Sequence, residues 1–262
     1  MGKKMQQAEK RLFLIHYLLK ENRAYSAIEI PDSSEAQKTL LRALLNVRPP
    51  QAVSSEFLAV QDSYLQTELL RGGIISIGDL SPLQPQLYLW RGDITRLKTD
   101  AVVNAANSQM LGCFLPNHAC IDNAIHTFAG IQLRQACDKL MKVQGHLEKT
   151  GKAKITPAYN LPSRYVIHTV GPIVTQDLTD TERDDLRSCY HSCLIMAEQH
   201  HLNSIAFCCI STGAFHFPNE EAAQIAVSAV KQFLQESKSQ MKVVFNVFKE
   251  KDEEIYQKIL QP

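Results

Sequence analysis

The chain has almost no net charge: 28 Lys and Arg against 27 Asp and Glu leave +1 at pH 7. That balance gives no basic footprint for nucleic acid or an anionic membrane surface, and neither partner is expected. No apolar run is long enough for a bilayer: "LFLIHYLL" near the N-terminus is short and flanked by charges. The same region lacks a small-residue cleavage site, so no secretory signal is expected. "MGKKMQ" places Gln6 where a myristoylation motif requires Ser or Thr. There is no internal repeat and no low-complexity tract. What is there is ordinary globular material, 262 residues with 45% hydrophobic and 21% charged side chains. That length suits one large α/β domain, or a domain with a substantial extension. Seven cysteines, an odd number without an export signal, are expected as reduced thiols in a cytoplasm.

Residues 1–73 read as helical. One amphipathic segment covers 6–21, and a second runs from a cap at Ser33 or Ser34 to a stop before Pro49-Pro50. A third starts at Ser54 or Ser55 and stops at Gly72-Gly73. This extension is read as a helical cap on a main domain, with a partner-docking arm as the alternative. From residue 74 short apolar strands alternate with helical patterns. Strands are expected at 87–90, 101–105, 153–156, 164–170, 204–210 and 242–248, and helices at 121–142, 180–200, 219–236 and 250–260. The alternation argues an α/β fold, a sheet sandwiched between helices, with its ligand crevice at the carboxyl ends of strands.

The loops after the strands carry the informative residues. "STGAFHFP" (211–218) leads into a helix, and a small-residue turn there presents backbone N–H groups to an anion such as a phosphate. A plain strand–turn–helix connection looks similar. Gly213 permits close backbone approach, while Phe215 and Phe217 are read as flat faces for a ribose or base. After "AVVNA" come Asn107 and "CFLPNHAC", a Cys113-x4-His118-x-Cys120 spacing, and then Asp122 opening a helix. Two thiolates and an imidazole are zinc donors, and Pro116 supplies the bend that lets them converge. Spacing alone leaves two inert thiols beside a surface histidine equally open.

"GDIT" (92–95), "DAVVNAAN" (100–107), "AIHTFAG" (124–130), "AKIT-x-AYNLP-x-RYVIHTVGP" (153–172) and "STGAFHFP" (211–218) stand in the order found in macrodomains. The chain resembles that family over residues 74–262, with 1–73 as an N-terminal helical extension. The resemblance implies a mixed sheet between helices that binds ADP-ribose. By motif, Asp93 is expected to accept a hydrogen bond from the adenine amine, and Ile94 beside it is expected among the ADP-ribose-binding residues. Asn107 is expected to hold the distal ribose. The backbone of Ser211, Thr212, Gly213, Ala214 and Phe215 is expected to wrap the diphosphate, with Phe215 packing on the distal ribose. Asp122 occupies the place of the acidic residue of hydrolytic members, and Asp122 and Asn107 are the expected catalytic pair.

The sequence departs from the common pattern at "CFLPNHAC", which is longer than the usual run and contains no glycine. The resemblance places this loop beside the scissile bond, and the pattern also resembles the zinc-containing branch of bacterial and fungal macrodomains. Cys113, His118 and Cys120 are therefore expected to hold one Zn2+ per chain. A purely structural zinc recruits a fourth protein ligand, and none is evident in this loop, so the site is read as catalytic. Cys137, Cys189, Cys193, Cys208 and Cys209 are read as small buried hydrophobes. His126 and His168 are read as scaffold, and His200-His201 as a helix C-terminus. His216, where many relatives have glycine, is open between a surface histidine and a contact to substrate or metal.

The resemblance thus implies a zinc-dependent hydrolase removing ADP-ribose from mono-ADP-ribosylated protein by cleavage at C1″ of the distal ribose. The competing readings are a non-catalytic ADP-ribose reader and an O-acetyl-ADP-ribose deacetylase. The implied partners are ADP-ribose, a mono-ADP-ribosylated protein, a lipoylated H-protein-like carrier and a sirtuin-type ADP-ribosyltransferase.

Overall fold

A computed structural model describes residues 5–261, so most of the stretch compared with a myristoylation motif lies outside the described residues. Three helices open the chain: α1 (Gln7–Glu21), α2 (Ser34–Val47) and α3 (Ser55–Gly72). Ser33 and Ser54 cap α2 and α3 by accepting hydrogen bonds from Ala36 N and Phe57 N, and Gly73, at φ 82°, ends α3. The strands are β1 (Ile75–Ser76), β2 (Leu87–Arg91), β3 (Leu97–Lys98), β4 (Ala101–Ala106), β5 (Ala153–Pro157), β6 (Tyr165–Val170), β7 (Ser204–Phe207) and β8 (Lys242–Val247). Between and after them lie α4 (Ile121–Ala129), α5 (Ile131–Gln144), α6 (Asp180–Gln199), α7 (Asn219–Ser237) and α8 (Glu250–Leu260).

Six strands form one mixed sheet in the order β2-β8-β7-β4-β6-β5, parallel throughout except for β5, which runs antiparallel to β6. β4, β7 and β8 are buried almost end to end, the pattern of parallel strands covered on both faces. Helices α4 and α5 pack together, while α6, α7 and α8 pack in succession. The parallel arrangement brings the carboxyl ends of five strands to one edge, where loops converge.

The N-terminal helices have their own apolar cluster, including Leu14, Leu41 and Phe57, and Ile131 of α5 joins it. Polar contacts tie the two parts: Gln61 Oε1 accepts from Ile131 N at 3.1 Å, and Asn160 donates to Asp62 at 2.7 Å. Among the described residues no helix is long and apolar enough to cross a membrane.

Two expectations are corrected. The single helix expected over 121–142 is two, broken at Gly130, whose φ of 93° is left-handed. A Cβ there would meet Gln132 Oε1 at 2.6 Å and Gln61 Nε2 at 2.7 Å, so only glycine fits. The strand expected over 204–210 ends at Phe207, because residues 208–210 leave the ladder for the loop, where Thr212 Oγ1 bonds Cys209 O at 3.1 Å.

Candidate active site

The site residues lie in the segments that follow the carboxyl ends of β2, β4 and β7. After β2, Asp93 caps a 3-10 turn, its Oδ1 accepting from Thr95 N at 3.0 Å and Thr95 Oγ1 at 2.7 Å. Ile94 beside it is buried in the core. It can therefore reach a ligand only through its backbone N–H. After β7, the chain turns through Ser211, which has a left-handed φ of 65° and a buried hydroxyl without a partner. The N–H groups of Ser211, Gly213, Ala214 and Phe215 find no acceptor among the described residues. Gly213 and Ala214 are exposed, Thr212 and Phe215 half-buried, and Phe215 O accepts from Val174 N at 2.9 Å. The turn is thus pinned to the loop after β6 while presenting a row of unpaired donors. Such a concavity suits an anion.

After β4, Asn107 donates from Nδ2 to Gly112 O at 3.1 Å and to Asp122 Oδ2 at 3.3 Å. Asp122 lies in the first turn of α4 and is buried, with 5% exposure. Its other oxygen accepts from Asn104 Nδ2 at 2.8 Å. Burial pushes the carboxyl up to about 6, against the Asn104 hydrogen bond and the nearby Arg134 charge, which lower it. Arg134 is itself pushed down to about 10 by burial, and it donates from Nε to Leu111 O at 2.7 Å. His126 Nε2 stands 3.6 Å from Asp122 Oδ1, but burial holds its pKa well below the ordinary range, so the contact is not an ion pair.

Between Asn107 and Asp122 runs the cysteine–histidine loop. The donor atoms of Cys113, His118 and Cys120 all lie within 4.8 Å of one another, and Cys113 Sγ is 3.5 Å from His118 Nδ1. All three side chains are half-buried. Cys120 is the N-cap of α4, its Sγ accepting from Asn123 N at 3.4 Å. Burial pushes its thiol up to about 11, helped by the neighbouring Cys113 and Asp122 charges.

Other expectations meet mixed outcomes. Phe217 is 1% exposed within the main core, so the reading of its ring as a ligand face is corrected: only Phe215 is placed to offer one. His216 is exposed at φ 57°, a left-handed backbone, and the Cys113, His118 and Cys120 group does not include it. Cys137, Cys189, Cys193 and Cys208 are buried, whereas Cys209 is half-buried. His168 is fully buried, with Nδ1 3.2 Å from Asn104 and Nε2 2.9 Å from Thr156 Oγ1. Asn104 and Arg134 escaped the sequence reading. A polar residue inside the apolar run "AVVNA" was the only signal for the first.

A mixed α/β sandwich with an anion-type turn and a buried acid at its carboxyl edge defines a class of ligand-binding α/β domains. Residues 103–226 match the family model described as Macro domain. The chain is 56% identical over 260 residues to a protein-ADP-ribose hydrolase of Treponema medium, covering 98% of this chain and 100% of that one. It is 42% identical over 243 residues to a probable bifunctional ADP-ribose hydrolase/ADP-ribosyltransferase of Fusarium oxysporum f. sp. cubense, covering 85% of this chain and 41% of that one. The solved Trypanosoma brucei macrodomain in complex with ADP-ribose is 32% identical with a TM-score of 0.65, covering 84% of this chain and 94% of that one. The chain belongs to the macrodomain family.

Proposed function

We propose that the protein is a hydrolase releasing ADP-ribose from mono-ADP-ribosylated protein, with one zinc ion held by Cys113, His118 and Cys120. The observation that carries this reading is the join between the thiol–imidazole group and the acid: Cys120 caps the helix whose first turn holds buried Asp122. The names of the Treponema and Fusarium relatives support removal of ADP-ribose, and the Trypanosoma complex supports the ligand.

The donor set fits zinc. Bond lengths of about 2.3 Å to sulfur and 2.0–2.1 Å to nitrogen in a tetrahedron separate the two donors by about 3.5 Å, and Cys113 Sγ lies 3.5 Å from His118 Nδ1. Burial pushes the Cys120 thiol and the Asp122 carboxyl up, and a cation held there would offset that penalty for both. Three protein donors leave one position for water or substrate. When bound, the ion supplies Lewis acidity toward an oxygen at the reacting end.

The chain's own groups supply the rest. The unpaired N–H groups of 211–215 bind the diphosphate, Asp93 accepts from the adenine amine, and Phe215 covers the distal ribose. Asn107 fixes that ribose against Asp122. The bond from C1″ to the acceptor atom breaks with oxocarbenium character, its electron pair leaving with the acceptor. Water oxygen bonds to C1″. Asp122, ionised above about pH 6, takes one water proton and returns it to the acceptor, while the other proton stays on the new hydroxyl.

A reader needs neither Asp122 nor the thiol group, whereas an O-acetyl-ADP-ribose esterase could use both. A lipoylated H-protein-like carrier as target and a sirtuin-type transferase as writer complete the proposal. The Fusarium relative, whose name joins hydrolase and transferase, supports a transferase as partner. A reducing cytoplasm belongs to it as well, because disulfides would remove the donors. The test measures zinc content and ADP-ribose release from modified protein before and after chelation, with O-acetyl-ADP-ribose as second substrate. Release from protein that chelation abolishes supports the reading. Tight ADP-ribose binding without release would establish a reader instead, and cleavage of the ester alone an esterase.

A further inference from the structure

The loop that carries Cys113, His118 and Cys120 does not hold itself. Eight residues of irregular backbone would keep considerable freedom, and each ligand would lose it on binding an ion. The structure takes that freedom away through helix α2, contributed by the N-terminal extension. Arg42 Nη2 donates to His118 O at 3.2 Å and to Asn123 Oδ1 at 2.9 Å, with Nε reaching the same oxygen at 3.3 Å. One turn further along α2, Asn46 Oδ1 accepts from Asn117 N at 3.0 Å, and its Nδ2 donates to Thr127 Oγ1 at 2.8 Å.

Asn123 passes the constraint on. Its side chain is fully buried; Nδ2 donates to Leu115 O at 2.9 Å and Cys113 O at 3.4 Å, and its backbone N bonds Cys120 Sγ. Arg42 therefore orients a side-chain amide that fixes the backbone of Cys113, on the residue whose backbone N–H donates to the sulfur of Cys120. Asn46 holds Asn117 in its left-handed conformation, φ 54°, immediately before His118. His118 is thus tied directly to Arg42 and, through its neighbour Asn117, to Asn46, while Cys113 and Cys120 are tied to Arg42 through Asn123.

From this geometry we infer that Arg42 and Asn46 are positioning residues for the metal ligands, so that the N-terminal extension completes the metal centre. The inference rests on the zinc reading above. Side chains that hold metal ligands in place from the surrounding shell typically change metal affinity by about 10–100-fold, because they pre-set ligand geometry. They contact neither the anion turn nor Asp93, so ADP-ribose binding is carried elsewhere.

The test uses the full chain and reads zinc affinity by competition with a chromophoric chelator, together with the thiolate absorption of the cobalt-substituted protein. The variants are Arg42→Ala, Arg42→Lys, Asn46→Ala and, as control, Gln66→Ala. Gln66 joins the extension to the main domain through Asn160 O at 3.0 Å, away from the loop. Arg42→Ala and Asn46→Ala should each weaken zinc by about 10–100-fold and alter the cobalt spectrum. ADP-ribose affinity should change less than about threefold, and excess zinc should restore turnover. Arg42→Lys, retaining one donor, should fall between, and it answers the question if Arg42→Ala does not fold. Gln66→Ala should bind zinc as the wild type does. Unchanged zinc affinity in folded Arg42 and Asn46 variants overturns the inference alone, as does an equal loss in Gln66→Ala, which would mean general loosening. Wild-type protein without stoichiometric zinc overturns the metal reading and this inference together.

Discussion

Asn104 and Asp122 are joined by a buried hydrogen bond of 2.8 Å, from an amide on the central strand β4 to a carboxylate in the first turn of α4. Asn104→Ala removes the one donor to that oxygen and leaves a buried acid under-satisfied. We expect a loss of about 1–3 kcal/mol in stability by denaturant titration, with hydrolysis reduced more than ADP-ribose binding. Unchanged turnover would mean that the orientation of Asp122 does not matter.

Acid should weaken the fold in a defined window. Burial lowers His168 to about 3, and His126 is lowered well below its ordinary value, whereas both take up protons near 6.5 once unfolded. A depressed histidine contributes stability that is complete above about 6.5 and is lost as pH falls toward the folded value. Asp122, raised to about 6, acts in the opposite sense between about 6 and its unfolded value of 3.8. Two histidines outweigh one carboxyl. Denaturant midpoints should fall between pH 6.5 and 4, with a shallower slope in His168→Gln; equal slopes would refute the assignment.

The anion turn can be tested without disturbing the fold. A Cβ on Gly213 meets no atom within 4 Å, and its φ lies outside the left-handed range, so Gly213→Val should fold normally. Its side chain would enter the space in front of the unpaired N–H groups. Calorimetry should show ADP-ribose affinity falling by about 100-fold or more, a loss of about 2.7 kcal/mol. Unchanged affinity in the folded variant would remove the diphosphate from this loop.

Asp93→Ala should weaken ADP-ribose by about 1–3 kcal/mol through one lost charge-assisted hydrogen bond. Ribose 5-phosphate, which lacks adenine, should bind wild type and variant equally poorly. An equal loss for both ligands would instead report damage to the turn that Asp93 caps.

How much of this could be read from sequence depended on the range of the contact. Apolar runs located the main strands, because buried parallel strands are apolar on both faces. The Cys-x4-His-x-Cys spacing, Asn107 and Asp122 could be read as one group, because all of them fall between the end of β4 and the first turn of α4. Gly130 reads as part of a continuous helix, since an isolated glycine inside a helical pattern does not reveal the left-handed φ of 93° that separates α4 from α5. Phe217 was misread because an aromatic two residues after Phe215 looks alike whether it faces the cleft or the core. Arg42 bonds His118 across 76 positions and Asn46 bonds Asn117 across 71, so no local pattern could mark either.

The most direct test of the account takes zinc content, melting temperature and turnover together on Cys113→Ala, His118→Ala and Cys120→Ala. With three ligands there is no redundancy, so the cysteine variants should lose the ion and the histidine variant should bind it far more weakly. Turnover should fall on the order of 100-fold or more, since the Lewis acidity at the reacting end goes with the ion. ADP-ribose affinity should fall much less, because Asp93 and the 211–215 turn follow other strands, β2 and β7, and the melting temperature should change little. Parallel loss of melting temperature, binding and turnover would show a structural zinc. Full turnover in a zinc-free sample would contradict the catalytic metal outright.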